Sequence, residues 1–300
     1  MITTLTGGSG HPALDGAWLA AELSTGDAAG GPTGTLSGMT AGLLPAPGLV
    51  PAAGLWREIR VVAETGSTNA DLLAEARAGA PEGLVLAAGA QTAGRGRLGR
   101  PWLSPPGAAL TFSLLLRPRG VPPARLGWLP LLAGVAITAA LAGTAGLDAR
   151  LKWPNDVLAG RAKLAGILAE ATGGAVVVGA GLNVYQRRAE LPVPTATSLW
   201  LAAPGAAGPA ARERLLAAVL REFAARYQAW QDRAGDADGC GLRPEYLRRS
   251  ATVGQRVKVT LPGGGAVSGM ATGIDPGGRL TVRTGTGLVR LSAGDVEHVR

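Results

Sequence analysis

The sequence predicts an α+β protein, in which a mixed sheet packed with helices is followed by a small β-barrel. Strand-like apolar runs alternate with helical segments from Leu55 onward, and the last 50 residues change to short strands separated by Gly-rich turns. Three hundred residues with 47% hydrophobic content are enough for one large and one small domain. The predicted division is residues 1–54, 55–250 and 251–300.

The first segment, residues 1–54, is rich in Gly, Pro, Ala and Thr and contains no Lys or Arg. Its one short apolar patch is Trp18–Leu23. This composition predicts a flexible extension. The segment shows no pair of amphipathic helices, so we do not expect a helix-turn-helix that binds DNA there.

In the body, from Leu55 to residue 250, a helix is predicted to begin at Ser67-Thr68-Asn69, whose side chains can cap its N-terminus. It is expected to end near Ala78, before Gly79. A second helix is expected over Ala210–Asp232, where apolar residues recur at helical spacing. The predicted strands are Glu58–Ala63, Leu84–Ala90, Ala109–Arg117, Arg150–Trp153, Val157–Leu158, Leu164–Glu170 and Ala175–Val184.

One stretch, Leu126–Leu147, carries no charged residue and has about the length of a membrane span. It is rich in Gly, Ala and Thr and contains Pro130, so its hydrophobicity is modest. We therefore favour a buried central helix and expect no membrane association. In the final segment, strands are predicted at Val253–Thr260, Ala266–Ile274, Leu280–Arg283 and Leu288–Leu291.

The composition also limits the chemistry. A net charge of +8 indicates an acidic partner, such as nucleic acid, a phosphorylated ligand or an acidic protein. The only histidines are His11 and His298, which argues against a histidine-based triad or metal site. Cys240 is the single cysteine, so no internal disulfide can form. With no secretory signal at the N-terminus, we expect a cytoplasmic location.

The loop Gly94–Arg100 combines three glycines with three arginines and matches the pattern G-x-G-x-x-G. A dinucleotide site would need a helix directly after it and an acidic residue about 20 positions on. The prolines that follow exclude the helix, and the downstream window holds Arg117 and Arg119 instead of a carboxylate. A solvated basic turn and a phosphate-binding loop remain open.

Residue types that are rare in this chain help to choose between a basic turn and a phosphate-binding loop. The chain contains three Lys and three Asn. Because a chain that avoids a residue type tends to keep it where chemistry requires it, these positions are candidates for a site. An Asn can simply cap a turn and Lys163 could be a solvated hairpin residue, but most of them fall together in short motifs. These motifs are Ser67–Asn69, Lys152–Asp156, Lys163–Leu168 and Gly179–Asn183.

In their order and spacing these motifs, with Gln91, Gly94–Arg100 and Trp102, resemble the biotin–protein ligases. The pair Gly-Arg-Gly-Arg-x-Gly-Arg and Lys-Trp-Pro-Asn-Asp is the most specific part. The resemblance implies a class II synthetase-like catalytic fold with an SH3-like C-terminal barrel. It also implies a ligase of the monofunctional type, without a DNA-binding domain.

The family resemblance implies a two-step reaction. The carboxylate of biotin attacks the α-phosphorus of ATP, which gives biotinyl-5′-AMP and pyrophosphate. A lysine of a biotin carboxyl carrier domain of acetyl-CoA or a related carboxylase then attacks the acyl-adenylate and releases AMP. Arginine and lysine charge suits a step that joins two anions, and Mg²⁺ is expected with ATP.

The same resemblance suggests a role for each matching residue. Lys152 and Arg97 are the predicted catalytic residues, and either Asn183 or Asp156 is expected near Mg²⁺. The predicted biotin-binding residues are Ser67, Thr68, Asn69, Gln91, Arg95, Gly96, Arg97 and Lys152. The predicted ATP-binding or adenylate-binding residues are Arg97, Trp102, Lys152, Asn155 and Asn183.

Two rival functions remain. A lipoate or octanoate ligase would share the catalytic fold and differ in the acid it binds. A nucleic-acid-binding protein could use the arginine loop on phosphates and the barrel as a platform, but few aromatic residues lie near the basic motifs.

Overall fold

The computed structural model describes residue 11 and residues 13–25, 49–51 and 54–299. The helices of this part are α1 (Gly16–Thr25), α2 (Thr68–Arg77), α3 (Trp128–Ala145), α4 (Leu199–Ala202), α5 (Ala211–Gln231) and α6 (Leu242–Arg249). The strands of the body are β1 (Leu49–Pro51), β2 (Glu58–Thr65), β3 (Leu84–Gln91), β4 (Ala109–Leu116), β5 (Ala149–Lys152), β6 (Asp156–Ala159), β7 (Ala162–Thr172) and β8 (Ala175–Asn183).

These eight strands form one mixed sheet in the order β1-β2-β3-β4-β8-β7-β6-β5. Only β2 and β3 pair in parallel, across the helix α2 that connects them. All the other neighbours are antiparallel. The mixed sheet and its helices confirm the predicted α+β class.

Helices cover both faces of the sheet. The strand β3 shows why, because Val85 and Ala87 join the main core while Leu84 and Leu86 join a smaller core under α2. Successive side chains of a strand point to opposite faces, so a strand that is apolar on both faces needs cover on each. The main core contains α3 and α5, and the smaller one contains α2.

The central helix α3 is the one element of the described residues with the length and hydropathy of a membrane span. Most of its residues are buried, and it contacts α5, α6 and the strands β5 and β7. The apolar run Leu126–Leu147 therefore forms a helix in the protein core, as expected from its Gly, Ala and Thr content.

The C-terminal residues form a second, antiparallel sheet in the order β12-β11-β10-β9-β13. Its strands are β9 (Arg256–Thr260), β10 (Ala266–Ile274), β11 (Leu280–Thr284), β12 (Gly287–Leu291) and β13 (Asp295–His298). Two indole groups tie this barrel to the body. The Nε1 of Trp128 donates to the Pro276 carbonyl at 3.0 Å, and the Nε1 of Trp153 donates to Gly278 at 3.2 Å.

The described residues contain five elements that were not predicted, two of which are the short β1 and α4. Part of the N-terminal segment, predicted to be a flexible extension, forms α1, which packs against α5 through the fully buried Leu19. The helix α6 was not predicted, because Pro244 lies in its first turn and its apolar face is only two buried residues wide. The strand β13 was not predicted either, since its one buried residue is Val296.

Candidate active site

A cleft of about 510 Å³ opens above β7 and β8. The start of α2, the Gly/Arg loop, the turn before β6 and the barrel residue Asp295 border it. It brings together most of the residues predicted from the sequence. These are Ser67, Thr68, Asn69, Gln91, Arg95, Gly96, Arg97, Trp102, Asn155, Asp156 and Asn183.

One end of the cleft is a buried network of polar side chains at the start of α2. Ser67 caps the helix by accepting from the Ala70 N–H at 3.4 Å. The Oε1 of Gln91 accepts from the Thr68 N–H at 2.8 Å and from the Thr68 hydroxyl at 3.1 Å. The fully buried Ser113 hydroxyl lies 2.7 Å from Thr68 Oγ1 and 2.6 Å from Asn69 Oδ1.

Asn69 links this network to the sheet. Its Nδ2 donates to Glu170 Oε2 at 2.8 Å and to the Leu168 carbonyl at 3.3 Å. A Cβ at Gly179 would lie 2.0 Å from Asn69 Oδ1, so only glycine allows this approach. The donors and acceptors at this end are thus set in place by α2, β4, β7 and β8 without a ligand.

The loop Gly94–Arg100 contributes Arg95, Gly96, Arg97 and Arg100 to the lining of the cleft and is held in its turn by its own backbone. The Gly96 N–H donates to the Arg100 carbonyl at 2.7 Å, and the Trp102 N–H donates to Gly94 at 2.9 Å. The exposed Leu98 adopts a left-handed conformation with φ 56°. This hairpin-like turn directs arginine side chains over the cleft.

The barrel holds the loop in place through ion pairs. Arg97 Nη1 lies 3.9 Å from Asp295 Oδ1, donates to the Gly294 carbonyl at 3.2 Å and donates to Asn155 Oδ1 at 3.1 Å. Arg100 also pairs with Asp295. Burial lowers the pKa of Arg97, whereas Asp295 and Asp156 raise it. A partly desolvated arginine is thereby placed beside the cleft, where its attraction to an anion is stronger than in water.

The indole of Trp102 forms part of the cleft wall. A Cβ at Gly181 would lie 2.4 Å from Trp102 Cε2, and one at Gly166 would lie 3.4 Å from Cζ3. These glycines of β8 and β7 let the ring lie flat on the sheet. The Trp102 Nε1 is buried and has no hydrogen-bond partner among the described residues.

The turn Lys152–Asp156 contributes Asn155 and Asp156 to the lining of the cleft. Trp153 is buried, and Asn155 reaches the cleft, where its Nδ2 donates to the Ile167 carbonyl at 2.9 Å. Lys152, predicted as catalytic and as a ligand of both biotin and ATP, lines a small neighbouring pocket together with these two residues, and its role stays a prediction. It ends the edge strand β5 and lies near His298, whose pKa is lowered by burial and by Lys152.

A second of the rare lysines, Lys163, lines the cleft itself. Its Nζ lies 2.6 Å from Asp156 Oδ1, and both residues line the cleft. The scarcity of Lys in the sequence made Lys163 a candidate site residue, but its predicted position in a hairpin was equally compatible with a solvated side chain. Asp295 was missed entirely, because its link to the loop spans 195 residues of sequence.

The two residues expected near Mg²⁺ also line the cleft. Asn183 is buried, donating to the Thr197 carbonyl at 2.9 Å and accepting from Gln186 Nε2 at 3.1 Å. Asp156 is engaged by Lys163. No group of three His, Cys, Asp or Glu side chains suited to a metal occurs within the described part of the chain.

Comparisons with known proteins agree with this geometry. Residues 62–184 match the biotin/lipoate A/B protein ligase family, and residues 252–299 match the biotin protein ligase C-terminal domain. The biotin–[acetyl-CoA-carboxylase] ligase of Mycobacterium tuberculosis is 47% identical over 84% of this chain and 93% of its own length. The enzyme of the same name from Paracoccus denitrificans is 35% identical over 79% of this chain and 98% of its own.

A solved structure of a biotin protein ligase is also similar to this chain. The biotin protein ligase of Aquifex aeolicus in complex with biotin and ATP superposes with a TM-score of 0.67 and 28% identity. The match covers 81% of this chain and 98% of that one. In sequence and in fold, this chain belongs to the biotin/lipoate A/B protein ligase family.

Proposed function

We propose that this chain joins biotin to a lysine of a biotin carboxyl carrier domain in an ATP-dependent reaction through biotinyl-5′-AMP. The observation that carries the proposal is the cleft itself, which places a buried network of donors and acceptors opposite a cluster of cations. The 47% identity to a biotin–[acetyl-CoA-carboxylase] ligase supports the same substrates.

The two ends of the cleft suit the two substrates. The ureido ring of biotin offers both donors and an acceptor, which the network of Thr68, Asn69 and Gln91 can match. The phosphates of ATP are anions, which Arg95, Arg97 and Lys163 can hold. Trp102, Asn155 and Asn183 also line the cleft and are assigned to the adenylate.

In the first step an oxygen of the biotin carboxylate forms a bond to the α-phosphorus, and the bond from that phosphorus to pyrophosphate breaks. In the second step the lysine amine of the carrier forms an amide with the acyl carbon, AMP leaves, and the amine loses a proton. Both steps depend on positioning and on cations near the phosphate rather than on a protein nucleophile. We assign the catalytic lysine to Lys152, which lies beside the cleft with Asn155 and Asp156, and treat Lys163 as a second cation of the same site.

Mg²⁺ fits this site as an ion carried by the nucleotide. Asp156 and Asn183 supply one carboxylate and one amide oxygen, fewer than a protein cage requires, and Mg²⁺ is usually held by one or two carboxylates together with substrate phosphates. When bound, the ion neutralises phosphate charge. We further propose that the protein works in the cytoplasm and that it does not bind DNA.

The rival within the family is a lipoate or octanoate ligase. The match of residues 252–299 to the biotin protein ligase C-terminal domain favours biotin. The test is transfer of labelled biotin to a carrier domain with ATP, with lipoate and octanoate as competitors. We expect biotin transfer that a large excess of lipoate does not inhibit, and preferred transfer of lipoate would contradict the proposal.

A further inference from the structure

A second cavity, of about 780 Å³, lies where the barrel meets the body. It lies between the start of α3, the turn Trp153–Pro154 and the barrel segment Asp275–Arg279. No residue lines both this junction cavity and the catalytic cleft. A ligand in it would therefore not compete directly with biotin or ATP.

The polar wall of the junction cavity carries an excess of positive charge. Its one carboxylate, Asp275, is 5% exposed and accepts from Arg279 Nε at 2.7 Å, with Arg290 Nε at 3.8 Å. Asp275 also accepts from the N–H groups of Gly277 and Arg279 at 2.9 and 3.0 Å. The third arginine of the wall is Arg125, which donates to the Ala234 carbonyl at 3.0 Å.

Two guanidinium groups thus share one carboxylate through their Nε atoms. The terminal Nη atoms of Arg279 and Arg290 make no hydrogen bond with any residue of the described chain, and the two side chains are 48% and 54% exposed. An arginine presents its Nη pair as a planar fork that suits carboxylate and phosphate oxygens. The cavity therefore offers donors that the junction itself does not use.

The start of α3 adds to the positive electrostatic potential of the junction cavity. Its N-cap residue Gly127 provides no side-chain cap, and its first turn contains no acidic residue. The N-terminal end of a helix carries partial positive charge, which favours an anion nearby. The apolar part of the lining outside the barrel segment is formed by Pro130, Leu131, Trp153 and Pro154.

We propose that the junction cavity is a second ligand site, which binds a small organic anion with an apolar or aromatic body and a carboxylate or phosphate group. The anionic group lies against Arg279 and Arg290, and the body lies against Leu131 and the prolines. Such a ligand bridges the barrel and the turn that carries Asn155 into the cleft, so it would stabilise the barrel on the body. This goes beyond the proposed ligase activity and does not depend on it.

The test is binding of 1-anilinonaphthalene-8-sulfonate, an aromatic sulfonate that fluoresces when bound, to the full chain. The junction variant is Arg279→Gln/Arg290→Gln, and the matched control in the cleft is Arg97→Gln/Lys163→Gln. We expect saturable binding that weakens at least about tenfold in the junction variant and changes less than about twofold in the control, because charge-assisted hydrogen bonds are lost only in the first. Equal affinity in wild type and junction variant, no saturable binding, or loss only in the cleft control would overturn the proposal.

Two competitors distinguish the anionic group. Displacement by inorganic phosphate assigns the site to phosphate esters, displacement by benzoate assigns it to carboxylates, and displacement by neither contradicts the proposal. If circular dichroism shows that the double variant is unfolded, Arg290→Gln alone replaces it. The Nε of Arg290 lies 3.8 Å from Asp275, so removal of this side chain should disturb the turn around Asp275 little. An unchanged affinity for the fluorescent sulfonate in Arg290→Gln would also contradict the proposal.

Discussion

The two ends of the catalytic cleft are built differently. At the biotin end, Thr68, Asn69 and Ser113 are buried and already hydrogen-bonded to one another or to Gln91. At the phosphate end, Arg97, Arg100 and Lys163 are partly or largely exposed and are paired with Asp295 or Asp156. The first end offers a rigid pattern of donors and acceptors, whereas the second holds cations that protein carboxylates occupy until an anionic ligand takes over.

This difference predicts separate roles for the two ends, ligand specificity at one and stabilisation of negative charge at the other. A buried network loses much when one member is removed, because its partners are left without hydrogen bonds. An exposed ion pair contributes little to stability, but its cation can still matter for a reaction that gathers negative charge. Changes at the biotin end should therefore alter stability and biotin affinity, and changes at the phosphate end should alter adenylation.

The largest effect is expected at Lys152, the predicted catalytic lysine. Replacement of Lys152 by Ala removes a lysine charge beside the cleft and should lower the rate of biotin-dependent pyrophosphate release by about 100- to 1000-fold. The matched variant Lys258→Ala, at an exposed position of the barrel strand β9, should change it by less than about fivefold. Full adenylation by Lys152→Ala would contradict the assigned role.

The next effect concerns Gly179 at the biotin end. Replacement by Ala brings a Cβ to 2.0 Å from Asn69 Oδ1, so Asn69 must move and its hydrogen bonds weaken. We expect the free energy of unfolding in urea to fall by about 1–3 kcal/mol, as in other overpacked cores. Gly143→Ala, in an exposed turn of α3 with no atom within 4 Å of the new Cβ, is the control and should leave stability unchanged or raise it by up to about 1 kcal/mol. Equal stability of the two variants would show that the biotin end is not rigid.

Replacement of Gln91 tests the same hydrogen-bond network by its effect on ligand affinity. Gln91→Leu leaves the Thr68 N–H and hydroxyl without their shared acceptor, which should weaken biotin binding about tenfold. The affinity for ATP should change less than about twofold, and Gln255→Leu on the exposed barrel surface should change neither. Calorimetric titration measures both constants, and a selective loss of ATP binding would reverse the assignment of the two ends.

The smallest effect is expected for the contact between the loop and the barrel. Asp295→Asn removes the ion pairs to Arg97 and Arg100, each worth up to about 1 kcal/mol. The loop should then open more often, and trypsin should cleave after Arg95 or Arg97 about fivefold faster. Asp238→Asn, which breaks the separate pair with Arg243, is the control. Unchanged cleavage in Asp295→Asn would mean that the backbone bonds within the loop are sufficient to hold it.

Much of this protein could be predicted from local patterns. The bounds of β10 match the prediction, and those of α2, β3, β4 and β8 lie within about two residues of it, because their apolar periodicity and turn residues agree. The motifs around Asn69, Gln91, Gly94–Arg100, Asn155 and Asn183 also indicated residues that line the cleft. The strand β13 and the helix α6 were not predictable in this way, since each has too few buried residues to show a period.

What the sequence determined by itself was therefore the α+β class, the position of most strands and the set of motifs that meet in one cleft. The tertiary structure alone decided that Lys163 meets Asp156 in that cleft. The register shift between Val157 and Leu158 sets how β6, which begins at Asp156, pairs with the strand that carries Lys163. The tertiary structure also decided that the arginine loop is paired with Asp295 of the barrel, because charges far apart in sequence interact only once the chain brings them within a few ångströms.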